Sequence, residues 1–212
     1  MMVQRPRTQP EIHEFRREGL IRSTIETLAK CGIENTTIAL ICENAGVSRG
    51  LAGHYFKSKE DLLVQAYESL HRVLTDVTAN AARAHAGNPR DQLVAIVRTV
   101  NDPQIIDTAM RSAYLVFWIA ALTNERYRDM NRTQHQELHR NLSRLFERAS
   151  KWAGTTIDAD SSATGLLALL DGLWLETSVS MTEFDEEKLN RQTIDYIDRH
   201  LVGPPVAEDN QD

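Results

Sequence analysis

The segment Thr36–Lys59, TTIALICENAGVSRGLAGHYFKSK, decides the fold. Ile38, Ile41 and Ala45 recur at helical spacing and give a short helix one apolar face. Gly46 follows, and glycine at a helix end takes the left-handed backbone most cheaply. Val47 fills the corner, and Ser48 can cap a second helix running to about Tyr55. Helix, glycine turn and helix at this spacing form the framework that lays a second helix in the DNA major groove.

Upstream, Phe15 to Lys30 reads as an amphipathic helix with Phe15, Leu20, Ile21, Ile25 and Leu28 available for packing. Cys31-Gly32 is its stop signal. Downstream, Tyr55-Phe56 leads through Ser58 and Lys59 into Leu62-Leu63 and another long helix. With Gly46, Val47, Ser48, Gly50, Tyr55, Phe56, Lys59 and Leu62 in this order and spacing, the chain resembles the TetR family of bacterial transcriptional regulators. His54, in the run HYF, and Thr37-Ile38-Ala39 resemble more specifically the choline-responsive BetI-type branch.

The 212 residues allow two helical domains, and 42% hydrophobic with 25% charged residues is ordinary globular composition. No apolar run approaches the roughly 20 residues needed to span a membrane, and MMVQRPRTQP lacks the apolar core of a signal peptide. A cytoplasmic protein with no membrane partner is expected, its Cys31 and Cys42 reduced and partly buried. The net charge of −6 is unevenly spread. Residues 1–60 hold nine Lys/Arg against seven Glu, a balance of +2, and the rest of the chain carries −8. A basic end on an acidic body orients toward phosphate, although two charges make their placement decisive.

The remaining chain reads as helices separated by clear breaks. A helix from Lys59 to about Ala84 ends before Gly87-Asn88-Pro89, where Asn88 caps the next one. Asn101-Asp102-Pro103 breaks the chain again, and Ile106 to Leu122 is apolar enough for burial on most sides. A long polar helix, about Glu125 to Trp152, stops at Gly154. Ser162 to Met181 and about Glu186 to Leu201 complete the set before Gly203-Pro204-Pro205. With no period-two runs, the fold class is all-α with about nine helices. The organisation expected is a flexible basic arm over 1–10, a three-helix DNA-binding head over 11–60, a ligand-binding and dimerisation domain over 61–203, and a disordered tail over 204–212.

Arg49, Gly50, Ala52 and Gly53 occupy the side of the second motif helix that meets the groove. Arg49 can make a bidentate contact to guanine, and the small residues allow close approach. Tyr55 and Lys59 suit phosphate, as a phenol donor and a point charge. The resemblance implies backbone contacts for Tyr55, Lys59 and Thr37, so the DNA set is Thr37, Ser48, Arg49, Gly50, His54, Tyr55 and Lys59. In the C-terminal part, Tyr114, Phe117, Trp118 and Ala121 share one helix face, and Trp174 lies between Asp171 and Glu176. Rings beside a carboxylate are what a quaternary ammonium ion requires, because it offers no strong hydrogen-bond donor. The ligand-binding candidates are therefore Tyr114, Phe117, Trp118, Asp171 and Trp174. The same aromatics at helical spacing also read as core.

His135 and His139 share a face but lack the HExxH order, and their surroundings read as a solvated surface rather than a metal site. No phosphate loop, nucleophile triad or cysteine cluster points to an enzyme or a cofactor. The function expected is a homodimeric repressor on a palindromic double-stranded DNA operator. A small-molecule effector would release it, choline or a related quaternary ammonium compound of glycine betaine metabolism. The alternatives are a ligand-independent helix-turn-helix protein or a TetR-type regulator of an unrelated efflux or oxidoreductase gene. The resemblance implies dimerisation through the last two helices, with Leu166, Leu167, Leu169, Leu170, Leu173 and Leu175 supplying the apolar surface.

Overall fold

A computed structural model describes residues 8–180 and 185–202. Among them are nine helices: α1 (Gln9–Asn35), α2 (Ile38–Ala45), α3 (Arg49–Tyr55), α4 (Lys59–Ala84), α5 (Pro89–Asn101), α6 (Thr108–Ala121), α7 (Glu125–Ala153), α8 (Ala159–Val179) and α9 (Glu186–Val202). None is long and apolar enough to cross a membrane. The basic residues Arg5 and Arg7, Met181 and the tail beyond Val202 lie outside the described residues.

Local chemistry sets the helix ends. Thr8 caps α1 in a capping box with Glu11, and Pro10 falls in the first turn, where its fixed φ suits the helix. Gln9 and Pro10 therefore lie in α1, with Thr8 as its cap, inside the range expected as an arm. Gly32, at φ 74°, interrupts α1 and turns the chain toward α2. Asn88 caps α5 through the amides of Arg90 and Asp91, as its sequence suggests. The start of α6 is two residues later than expected, because the Asp107 side chain accepts from Met110 N–H and caps there. Asp158 caps α8 at Ala159, three residues before the expected start, since its carboxylate accepts from Ser161 N–H.

By packing, the chain divides into two compact units. Of the described residues, the first comprises 8–73 and 107–129. Within it α1 lies against both α2 and α6, and α2 meets α3. Its core is Leu20, Ile21, Ile25 and Leu28 of α1, Ile41 of α2, Phe56, and Leu62, Leu63, Tyr67 and Leu70 of α4. Each such side chain contributes about 1.5–3 kcal/mol by leaving water. Phe15, expected among them, is 51% exposed because it lies on the other face of α1. Likewise Ile119 and Leu122 are 65% and 75% exposed, so α6 is not buried on most sides.

Of the described residues, the second unit comprises 74–106, 130–180 and 185–202, with α9 packed on α5 and α8. Arg90 forks onto Asp198, Nε to Oδ1 at 2.6 Å and Nη2 to Oδ2 at 2.8 Å, joining α5 to α9. Leu166, Leu167, Leu170 and Leu173 are buried within the subunit, which corrects the expectation that they form a surplus apolar surface. The helical period carries those four inward and leaves Ala168, Gly172, Leu175 and Val179 on the exposed face.

α8 and α9 approach closely at Gly165. A Cβ there would sit 2.0 Å from the Tyr196 hydroxyl, which donates to Ser162 O at 3.2 Å. Gly165→Ala should therefore cost about 1–3 kcal/mol through overpacking. Thermal unfolding followed by circular dichroism should show the loss, and adding Tyr196→Phe should recover part of it. An alanine variant melting like the native protein would mean that the two helices separate at no cost.

Candidate DNA interface and effector site

The helix-turn-helix is built by caps. Thr37 Oγ1 accepts from Leu40 N–H at 3.2 Å to start α2, and Ser48 Oγ accepts from Leu51 N–H at 3.2 Å to start α3. Between them Gly46, at φ 64°, ends α2: its N–H reaches Glu43 O and Val47 N–H reaches Cys42 O. A β-carbon at that φ would be strained, which accounts for the glycine. Thr37 and Ser48, expected at the DNA, thus each use a lone pair structurally and retain an O–H to donate.

α3 turns Ala52 inward, 3% exposed, beside buried Phe56. Ala52, expected on the groove side, is instead core, while Gly50, Gly53 and His54 stay exposed. Arg49, Gly50, Gly53 and His54 are exposed, with open space around Gly53. Burial raises the Cys42 thiol above its ordinary range, against an opposing pull from the Arg49 charge.

Tyr55 is part-exposed and carries two neighbours that the sequence reading did not combine. The His13 ring lies 4.5 Å from it and the His54 ring 5.4 Å, bringing the start of α1 to the end of α3. No spacing rule reveals His13, which is 42 residues away. Lys59, expected at phosphate, directs its ammonium onto Ile33 O at 2.9 Å and Glu34 O at 3.4 Å. It thereby satisfies carbonyls at the end of α1, and one N–H remains for another acceptor.

The aromatic candidates fall into two groups, one in each compact unit. In the first unit Tyr114, Phe117 and Trp118 of α6 join Tyr67 of α4 and Tyr127 of α7. Phe117 is fully buried and stacks on Tyr67 at 4.5 Å, which makes it core. Tyr114 and Trp118 are half-buried, edge-to-face at 5.5 Å. Trp118 Nε1 and the Tyr67 hydroxyl are buried without a hydrogen-bond partner among the described residues. Tyr67 and Tyr127 escaped the sequence reading because each is a lone tyrosine on its helix. In the second unit, Asp171 lies one turn before buried Trp174 on α8. Burial pushes the Asp171 carboxyl up to about 7. His139 meets Thr164 Oγ1 at 3.0 Å, and no group of three metal-ligating side chains lies together among the described residues.

A capped short helix, a left-handed glycine turn and an exposed second helix define a helix-turn-helix DNA-binding regulator. Residues 20–66 match the family described as bacterial regulatory proteins, TetR family, and residues 89–202 match the BetI-type transcriptional repressor, C-terminal, family. The chain is 39% identical to the HTH-type transcriptional regulator BetI of Stenotrophomonas maltophilia, over 90% of this chain and 95% of that protein. With BetI of Paraburkholderia xenovorans it shares 32% identity over 90% and 96% of the two chains. A transcriptional regulator from Pseudomonas aeruginosa PAO1 superposes with a TM-score of 0.77 at 27% identity, over 93% of this chain and 94% of that one. A regulator from Saccharomonospora viridis, solved in complex with choline, has the same fold, with a TM-score of 0.76 at 23% identity over 87% and 96%. The chain belongs to the TetR family of transcriptional regulators and carries a BetI-type C-terminal domain.

The perturbed carboxyl has a consequence for stability. Folded Asp171 holds its proton up to about pH 7, whereas in the unfolded chain it releases it near 3.9. The stability linked to that proton is therefore fully present below about pH 4 and is lost as pH rises through 7. Asp171→Asn should stabilise the protein by roughly 2–4 kcal/mol at pH 8 and by little at pH 4. Denaturant unfolding at the two pH values checks this; an equal effect at both would show that the carboxyl ionises normally.

Proposed function

We propose that the protein is a homodimeric repressor that binds a palindromic operator through α3 and is released by a small organic cation of the choline type. The observation that carries the DNA reading is the division of α3. Ala52 anchors it in the core while Arg49, Gly50, Gly53 and His54 are presented to solvent. Arg49 then reads guanine O6 and N7, Gly50 admits the backbone closely, and His54 faces the groove. Tyr55, Thr37, Ser48 and the remaining Lys59 donor hold phosphates. Dimerisation uses the exposed stripe Ala168, Gly172, Leu175 and Val179 of α8, where Leu175 is 48% and Val179 72% exposed.

Arg49→Ala should weaken operator binding by about 1–3 kcal/mol and relax preference at one base pair of each half-site. Binding titrations against single-substituted duplexes check it. Unchanged selectivity would move the reading face elsewhere.

Support for a cationic effector comes from the choline complex of the Saccharomonospora relative and from two features of this chain. Tyr114 and Trp118 offer half-buried rings, and Asp171 beside Trp174 is a carboxyl whose charge burial penalises and a bound cation would restore. A ring contact to a cation is worth about 0.5–2 kcal/mol, so the Tyr114–Trp118 pair of the first unit and the Asp171–Trp174 pair of the second are each, separately, a candidate for weak cation binding. The ligand acts by favouring a dimer whose two heads are spaced wrongly for the operator.

Choline should dissociate the operator complex in a fluorescence-anisotropy titration. Trp118→Ala and Asp171→Asn, each measured separately, should raise the half-release concentration by roughly tenfold. Operator affinity without ligand should not change. A native protein indifferent to choline, betaine aldehyde and glycine betaine would exclude this effector class and favour ligand-independent binding or another ligand.

A further inference from the structure

Within the first unit, four side chains run in an unbroken polar line from the start of α6 to the end of α2. Asp107, the cap of α6, accepts from Met110 N–H at 2.9 Å through Oδ1. Its other oxygen, Oδ2, accepts from Arg22 Nη2 of α1 at 2.5 Å. Arg22 Nε donates to Glu26 Oε1 one turn on, at 2.9 Å. Glu26 Oε2 accepts from Asn44 Nδ2 of α2 at 2.9 Å, and the same amide reaches Ser23 O at 3.3 Å. Asn44 stands two residues before Gly46, whose left-handed turn sets the direction of α3. The three links along the line use different atoms of Arg22 and of each carboxylate, so both oxygens of Asp107 and of Glu26 are engaged.

The charges respond to this arrangement. Burial alone would raise the Asp107 carboxyl, but the hydrogen bonds from Arg22 and from the α6 amides hold it below its ordinary range. Glu26 behaves alike: burial opposes, and Asn44 and Arg22 prevail. Arg22 and Asp107 keep 47% and 37% of their side-chain surfaces exposed, so their pairing adds little to stability. What it supplies is direction.

We propose that Asp107, Arg22 and Glu26 are positioning residues for operator recognition, holding α2 and the turn into α3 in register with the first turn of α6. The proposal rests on the DNA reading of α3, and it makes the start of α6 the point from which the head can be displaced.

The test uses the sign of a charge change. Asp107→Asn retains an amide oxygen to cap Met110 N–H but loses the charge that orients Arg22. Removing a negative charge from a DNA-binding protein would by electrostatics alone leave binding equal or tighter. A positioning role makes binding weaker. With an operator selected by the native protein from random duplexes, Asp107→Asn should raise the dissociation constant roughly three- to tenfold at fixed salt. Its melting temperature should stay close to native. Glu26→Gln, which also removes a negative charge and one acceptor, should act in the same direction and serves if the Asp107 variant folds poorly. Arg22→Gln combined with Asp107→Asn should cost no more than either alone, since the two share one link.

Arg90→Gln breaks an ion pair of similar exposure, 37% and 41%, in the second unit and should leave operator affinity unchanged. Equal or tighter binding by both carboxylate variants, additive losses, or an equal loss from Arg90→Gln would overturn the proposal. Failure of the native protein to select any operator would instead overturn the reading of α3, a separable outcome.

Discussion

The head of this protein depends on one helix packing in two directions at once. α1 buries Leu20, Ile21, Ile25 and Leu28 and lies against both α2 and α6. Its residues therefore satisfy two partners, one that carries the DNA-reading turn and one that carries the aromatic face. Its buried aliphatic side chains are part of the apolar core of the unit, and a close-packed contact of that kind transmits displacement instead of absorbing it. Directional bonds are then layered on the apolar contact. Lys59 ties the end of α1 to the start of α4, and Arg22 ties its middle to the cap of α6.

The electrostatics show why net charge is a poor guide here. The first 60 residues carry only +2, and one of those cations, Lys59, is spent largely on backbone carbonyls. The proposed DNA contacts then depend on placement: Arg49 at the start of α3 is exposed, as is Ser48 before it. In the second unit the opposite problem arises at Asp171, where burial makes the charged form expensive. A carboxyl in that condition is either neutral at physiological pH or matched by a cation, and both states are within reach near pH 7.

Much of this was legible in the chain. Gly46 with Ser48, Asn88 with Pro89, and Ser58 before Lys59 mark helix boundaries because capping is a local property of a few consecutive residues. The family resemblance in the motif residues pointed to the same architecture. Local reading failed where a cap is not a standard apolar-edge signal. Asp107 and Asp158 begin helices at places where hydrophobic pattern alone suggested other starts. It also failed on which side an apolar residue faces: Phe15 is out, Ala52 is in, and four leucines assigned to a dimer surface are core.

By itself, then, the sequence determined the all-helical class, the helix-turn-helix, most helix ends and the family, all of which rest on contacts within a few residues or on motif spacing. Only the tertiary structure decided what distant residues do to one another. His13 against Tyr55, Tyr67 against Phe117, Tyr196 against Gly165, and the line from Asp107 through Arg22 and Glu26 to Asn44 join positions from 18 to 85 residues apart. No periodicity encodes such pairs, because they are fixed by how helices cross and by which atoms remain to be satisfied once the apolar faces have closed.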